Sequence, residues 1–163
     1  MDTKNNIIIN GKYYLITKVK DDLIAIEASF VEDVFKPDEI TSVPLCPPIV
    51  EGILNLRGRT VIALNFSLIL GDKKIDDSTK KYGVVFENND QLYSILVDDV
   101  VAVSKIADDQ ITTAPPNLSQ SILDVSEGIY KQENDLVIIL NNKCFSFLTD
   151  NIQGEQNAAL PNS

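Results

Sequence analysis

The chain has 163 residues, 44% of them apolar and 23% charged, the balance of a folded globular protein and not of a disordered one. Twenty-four acidic against fourteen basic residues leave a formal charge of −10, which disfavours nucleic acid and anionic membrane surfaces as partners. Histidine is absent, which excludes Ser-His-Asp and Cys-His catalysis, histidine phosphotransfer and imidazole metal sites.

From the N-terminus, Asp2 to Asn6 reads as loose chain with no targeting pattern, and no later run nears the roughly 20 apolar residues of a membrane span. A cytoplasmic protein is expected. Tyr13 to Val19 and Leu23 to Glu27 alternate around Lys20-Asp21-Asp22 and predict a β-hairpin. After the word Val31-Glu32-Asp33-Val34 comes a proline-rich stretch with a single turn after Pro48. Gly52 to Leu56 and Arg59 to Asn65 then predict a second hairpin around Arg57-Gly58, followed by a short helix from Phe66 to Leu70 closed by Gly71. The second half brings hairpins from Val84 to Val97, turning over Glu87 to Gln91, and from Gly128 to Asn141, turning over Gln132 to Asp135. One helical turn is expected near Leu118 to Leu123 and a short helix over Asn142 to Leu148, before an Asn- and Gln-rich flexible tail.

The second half reuses the words of the first in order. Val31-Glu32-Asp33-Val34 returns as Val97-Asp98-Asp99-Val100, and Asp38-Glu39-Ile40-Thr41 as Asp109-Gln110-Ile111-Thr112. Glu51-Gly52-Ile53 returns as Glu127-Gly128-Ile129, and Val61-Ile62-Ala63-Leu64-Asn65 as Val137-Ile138-Ile139-Leu140-Asn141. The growing offset is what loop insertions produce after a tandem duplication. Two small domains are expected, over 12–75 and 80–149, with a flexible tail over 150–163. Copies this small need a shared apolar seam to be stable. Many short strands with regular turns make the fold class all-β, with small barrels or sandwiches and a few short helices.

Arg57 and Arg59 are the chain's only arginines, and Gly58 between them permits a tight turn. Arginine combines an apolar stem with a rigid fork of donors, which suits it to anchor a protein contact. The acidic pairs, such as Asp21-Asp22 and Asp98-Asp99, lack calcium-ligand spacing and read as turns and solvated edges. Cys46 and Cys144 stand too far apart for a metal or redox motif and read as small hydrophobes in a reducing compartment. Residues 1–80 hold ten basic and twelve acidic side chains, residues 81–163 four and twelve, so the halves share a pattern and differ in charge.

The stretch from Val43 through Asn55-Leu56-Arg57-Gly58 to Asn65, with Val31 to Val34 upstream and Val97 to Val100 downstream, resembles the CheW family of chemotaxis coupling proteins. That resemblance, from about Tyr13 to Leu148, implies two tandem SH3-like five-stranded β-barrels and no enzymatic activity. It further implies an adaptor with no cofactor and no metal, whose partners are the regulatory domain of a CheA-type histidine kinase and the cytoplasmic tip of methyl-accepting chemoreceptors. The implied partner-binding residues are Val31, Glu32, Asp33, Val34, Asn55, Arg57, Gly58, Val100 and Val103. Asp33, Ala63 and Asn65 depart from the Glu, Pro and Asp frequent in the family. The same contacts could serve a chemosensory-like pathway controlling pili or another output.

Overall fold

Apolar runs too short for helices, punctuated by residues that accept a left-handed backbone, dictate a strand protein. The computed structural model describes residues 11–66, 81–141, 143–146 and 149–150. Eleven strands are described: β1 (Gly11–Val19), β2 (Asp22–Glu27), β3 (Asp33–Phe35), β4 (Val50–Leu56), β5 (Arg59–Asn65), β6 (Tyr82–Asn88), β7 (Gln91–Val97), β8 (Asp99–Ala107), β9 (Ile111–Thr112), β10 (Ser126–Gln132) and β11 (Asp135–Leu140). The helical pieces are short: 3-10 turns at Ala28–Phe30 and Asp108–Gln110, helix α1 over Gln120–Val125, and a turn at residues 143–146. The Ser119 side chain caps α1 by accepting from the Ile122 N–H at 3.4 Å.

All four expected hairpins are present, and two turn more tightly than the sequence suggests. Asn89 and Asp90 alone connect β6 to β7, both at positive φ, and Glu133 and Asn134 connect β10 to β11. Strand β8 was not foreseen: its residues are mostly exposed, so no one-face alternation marks it. The expected helix at Phe66 to Leu70 lies, beyond Phe66, outside the described residues, as do the N-terminal stretch expected to be loose and the tail from Asn151 expected to be flexible.

The strands form two sheets, in the orders β8-β1-β2-β11-β10-β9 (sheet A) and β3-β6-β7-β5-β4 (sheet B). This corrects the expected boundaries, because the barrels are not the contiguous stretches 12–75 and 80–149. The two copies exchange their opening hairpins. β1–β2 of the first copy pairs with the second through the parallel β2–β11 ladder and the antiparallel β1–β8 ladder. β6–β7 of the second copy pairs with the first through β5–β7 and β3–β6. Sheet B is thus one segment, Asp33 to Val97, inserted between the two segments of sheet A. The repeat remains intact under the exchange: β5 and β11 each have an antiparallel hairpin partner on one side and a parallel partner on the other. A duplicated pattern leaves undetermined which copy completes which sheet, since equivalent apolar faces accept either hairpin.

Three apolar clusters explain the exchange. Tyr14, Ile16, Ala25, Ile106, Val137 and Ile139 fill barrel A, and Leu54, Val61, Ala63, Val85, Leu92 and Leu96 fill barrel B. The largest cluster joins the barrels, with Leu15, Ile24 and Ile26 from sheet A against Leu64, Phe86 and Ile95 from sheet B, and Cys144 and Phe145 against both sets. β1 therefore needs apolar residues on both faces, Tyr14 and Ile16 toward the barrel and Leu15 toward the seam.

Candidate partner-binding surface

The Arg57-Gly58 turn is built by its own neighbours. Arg57 and Gly58 both hold positive φ, 52° and 84°, as a two-residue hairpin turn matching the strand twist requires. The Asn55 side-chain oxygen accepts from the Gly58 N–H at 2.8 Å, which stiffens the turn. From it the Arg57 Nη1 reaches across barrel B and donates to Asp33 Oδ2 at 2.6 Å. The other Asp33 oxygen accepts from the Val34 N–H at 2.8 Å, and the Glu32 N–H donates to the Val85 carbonyl at 2.7 Å, so the start of β3 is fixed at both ends. Asp99 and Val100 repeat the Asp33–Val34 contact on barrel A, also at 2.8 Å.

The Arg57 side chain is 76% exposed against 25% for Asp33, so the pair contributes at most about 1 kcal/mol to stability. What it does is aim a guanidinium: one donor is engaged and the rest of the fork faces solvent. Arg59 lies 3.7 Å from Glu87, which sits two strands away on β6.

The structure thus brings Asp33, Asn55, Arg57 and Gly58 together, while the side chain of Glu32 is exposed beside them. The four valines lie along the seam instead. Val31 and Val100 are half-buried against the inter-barrel cluster. Val34 stands opposite the seam residue Val84, and Val103, 63% exposed, opposite the seam residue Leu15, so both share the seam side of their sheets.

Several surface features escaped the sequence reading. Val101, 53% exposed, is the extra residue where the β1–β8 register shifts, and Tyr13 is exposed beside Lys105, whose ammonium lies 5.7 Å from its ring. A cavity of about 470 Å³ opens on barrel B beside the Arg57 turn, lined by Phe35, Ile53, Leu54, Asn55, Leu56 and Thr60 among others. The Ile53-Leu54-Asn55-Leu56 word, apolar on both strand faces, is the signal that could have marked it. Leu45 is fully exposed at φ 60°, in the turn that follows Pro44.

Nothing in the described residues resembles a reaction centre. No three His, Cys, Asp or Glu side chains converge among them. Burial raises the Tyr14 hydroxyl above its ordinary value, helped by Glu127 and Glu27, and the hydrogen bond to Glu27 raises Lys12. Burial also pushes the Cys144 thiol up to about 12. That thiol stays protonated through neutral pH, so Cys144 is expected to resist alkylation in the native protein and to react only after unfolding. Mass spectrometry of iodoacetamide-treated native and denatured protein checks this.

A braced arginine turn, a valine-lined seam and an apolar cavity on two barrels make the candidate surface of a binding scaffold. The CheW-like domain family model matches residues 13–144, and the chain belongs to that family. It is 31% identical to the chemotaxis protein CheW of Thermotoga maritima over 76% of this chain and 80% of that one. It is 32% identical to the Bacillus subtilis chemotaxis protein CheW over 82% of this chain and 80% of that one. The crystal structure of the scaffolding protein TtCheW from Thermoanaerobacter tengcongensis superposes with a TM-score of 0.69 at 26% identity, covering 81% of this chain and 85% of that one. The protein is a non-enzymatic chemotaxis adaptor with two SH3-like barrels.

Proposed function

We propose that this adaptor joins the regulatory domain of a CheA-type histidine kinase to the cytoplasmic tip of methyl-accepting chemoreceptors, which places its work in the cytoplasm. The observation that supports this most is the Arg57–Asp33 pair. An exposed ion pair at 2.6 Å, on a turn stiffened by Asn55, stabilises the fold little yet holds an arginine in one orientation beside an apolar cavity. That combination of charge and adjacent apolar surface suits a protein contact. The seam valines Val31, Val34, Val100 and Val103 supply a second, apolar surface for the other partner, so both can be held at once.

Arg57→Ala is expected to fold normally and to weaken assembly with kinase and receptor by ~1–3 kcal/mol, a loss of roughly ten- to a hundredfold. Arg59→Ala should cost under about 1 kcal/mol. Co-sedimentation of the ternary complex at low salt and at ~0.5 M salt, with thermal melts as the folding control, measures both. Wild-type assembly by a folded Arg57→Ala protein would remove Arg57 from the contact.

A further inference from the structure

The duplication allows barrel B to be compared with barrel A position by position, and barrel B lacks two pieces of filling. Thr41 faces Ile53 as Thr112 faces Ile129, so Asp38-Glu39 corresponds to Asp109-Gln110 and Leu54 to Tyr130. Between Val34 and Asp38 barrel B has only residues 35–37, where barrel A has residues 101–108 between Val100 and Asp109. The longer connection extends β8 to Ala107, brings the fully buried Ile106 into barrel A and ends in the turn Asp108–Gln110. Tyr130 packs against the same interior cluster. Barrel B has a three-residue β3 in place of that strand and Leu54 in place of that ring, and its cavity of about 470 Å³ opens between the short connection and β4. Phe35 does not close it. A Cβ at Gly83 would lie 2.5 Å from Phe35 Cε1, so the ring is seated on the Gly83 backbone, where the strand registers give barrel A Tyr14.

We propose that this cavity binds a small aromatic amine, its ring between Phe35 and Leu54 and its ammonium at the rim beside Asp38 and Glu39. The volume is in the range of small-ligand sites, and the group that barrel B lacks beside barrel A is an aromatic ring. Phe35, Ile53, Leu54 and Leu56 supply the apolar walls. The rim selects the charge. Asp38 and Glu39 are exposed and form no ion pair with a described residue. Lys36 and Arg57, the cations at this surface, are engaged elsewhere: the Lys36 ammonium lies 5.7 Å from the centre of the Tyr82 ring, and Arg57 donates to Asp33. An ammonium is thus favoured over a carboxylate, the more so on a chain of charge −10. In barrel A the place of Glu39 is taken by the neutral Gln110, whose side-chain oxygen is used in accepting from the Ala107 N–H at 2.9 Å.

The test needs neither kinase nor receptor, so its failure leaves the coupling role untouched. Phenethylamine is titrated into the full chain at low salt while the backbone amide signals of Thr41, Asn55 and Thr60 are followed by NMR. Saturable shifts with a dissociation constant near ~1 mM are expected for a ligand of this size. Phenethyl alcohol, which keeps the ring and loses the charge, should bind at least ~threefold more weakly, phenylpropionate more weakly still, and propylamine not at all over the same range. Asp38→Asn/Glu39→Gln should bring the amine down to the affinity of the alcohol. Leu54→Tyr restores the ring that barrel A has and should abolish binding. Thr60→Phe, on the exposed wall, should do the same by occupying the mouth without altering the core, and thermal melts confirm folding. An amine that shifts none of these signals up to ~20 mM, an amine bound no more tightly than the alcohol, or binding that survives in a folded Thr60→Phe protein would each overturn the proposal.

Discussion

Gly52→Ala should destabilise the protein by about 2–4 kcal/mol, through the backbone and with no change of polarity. A Cβ at Gly52 would be driven into the Thr41 carbonyl and would stand 2.8 Å from Ile40 Cγ2. The Thr41 and Ile53 backbones exchange two hydrogen bonds of 2.8 Å across this point, so relief of the clash breaks the bridge that closes the edge of sheet B. Gly128 stands in the same relation to barrel A, where a Cβ would lie 2.5 Å from the Thr112 carbonyl and 2.8 Å from Ile111 Cγ2. Both glycines follow a glutamate at a register shift between the closing strands. Gly58→Ala is the control: φ is 84° but nothing lies within 4 Å, so only about 1 kcal/mol of backbone preference is lost. Denaturant melts of Gly52→Ala, Gly128→Ala and Gly58→Ala rank them, and a Gly52→Ala protein no less stable than Gly58→Ala would refute the close-approach argument.

Phe86→Ala is expected to cost about 3–5 kcal/mol, which for a domain of this size lowers the melting temperature by roughly 10 °C. Phe86 is 2% exposed in the seam, its ring centroid 4.4 Å from Phe145 and 5.5 Å from Tyr93. Phe145 follows the last strand of sheet A while Phe86 and Tyr93 belong to sheet B, so the truncation opens a cavity between the barrels and not within either. Both barrels should therefore melt in one transition, in the variant as in wild type. A variant that melts in two steps in a calorimeter would show that the barrels fold separately.

The strands of the four hairpins were legible because their apolar residues repeat with the period of a sheet and their turns hold Gly, Asn or Asp. The duplication was legible for a more particular reason: Gly52 and Gly128 recur because both lie where another strand's carbonyl approaches, and such positions accept no other residue cheaply. The exchange of hairpins was not legible, since Leu23 to Glu27 presents the same apolar faces to either copy and strand pairing over such distances leaves no local signal. Strand β8 carries no legible alternation because Val101, at a bulge, and Val103, at the edge of the seam, are both exposed although the sequence presents them as core-type valines. At the surface, Arg57, Gly58 and Asn55 could be nominated from their residue types and the family resemblance. The reach of Arg57 to Asp33 could not, because it depends on β3 lying against β6, a partner from the other copy.

The insertion of one barrel within the other also imposes a timetable on synthesis. Every strand of barrel B is available once Val97 has left the ribosome, but Ile24 of β2 must wait for Ile138 of β11. At about 5–20 residues per second that interval is roughly 6–20 s. Throughout it the β1–β2 hairpin, apolar on both faces, has no strand on its β11 side. The nascent chain is thus most open to mispairing or chaperone capture through the hairpin from Gly11 to Glu27, long after the barrel that follows it has everything it needs to close.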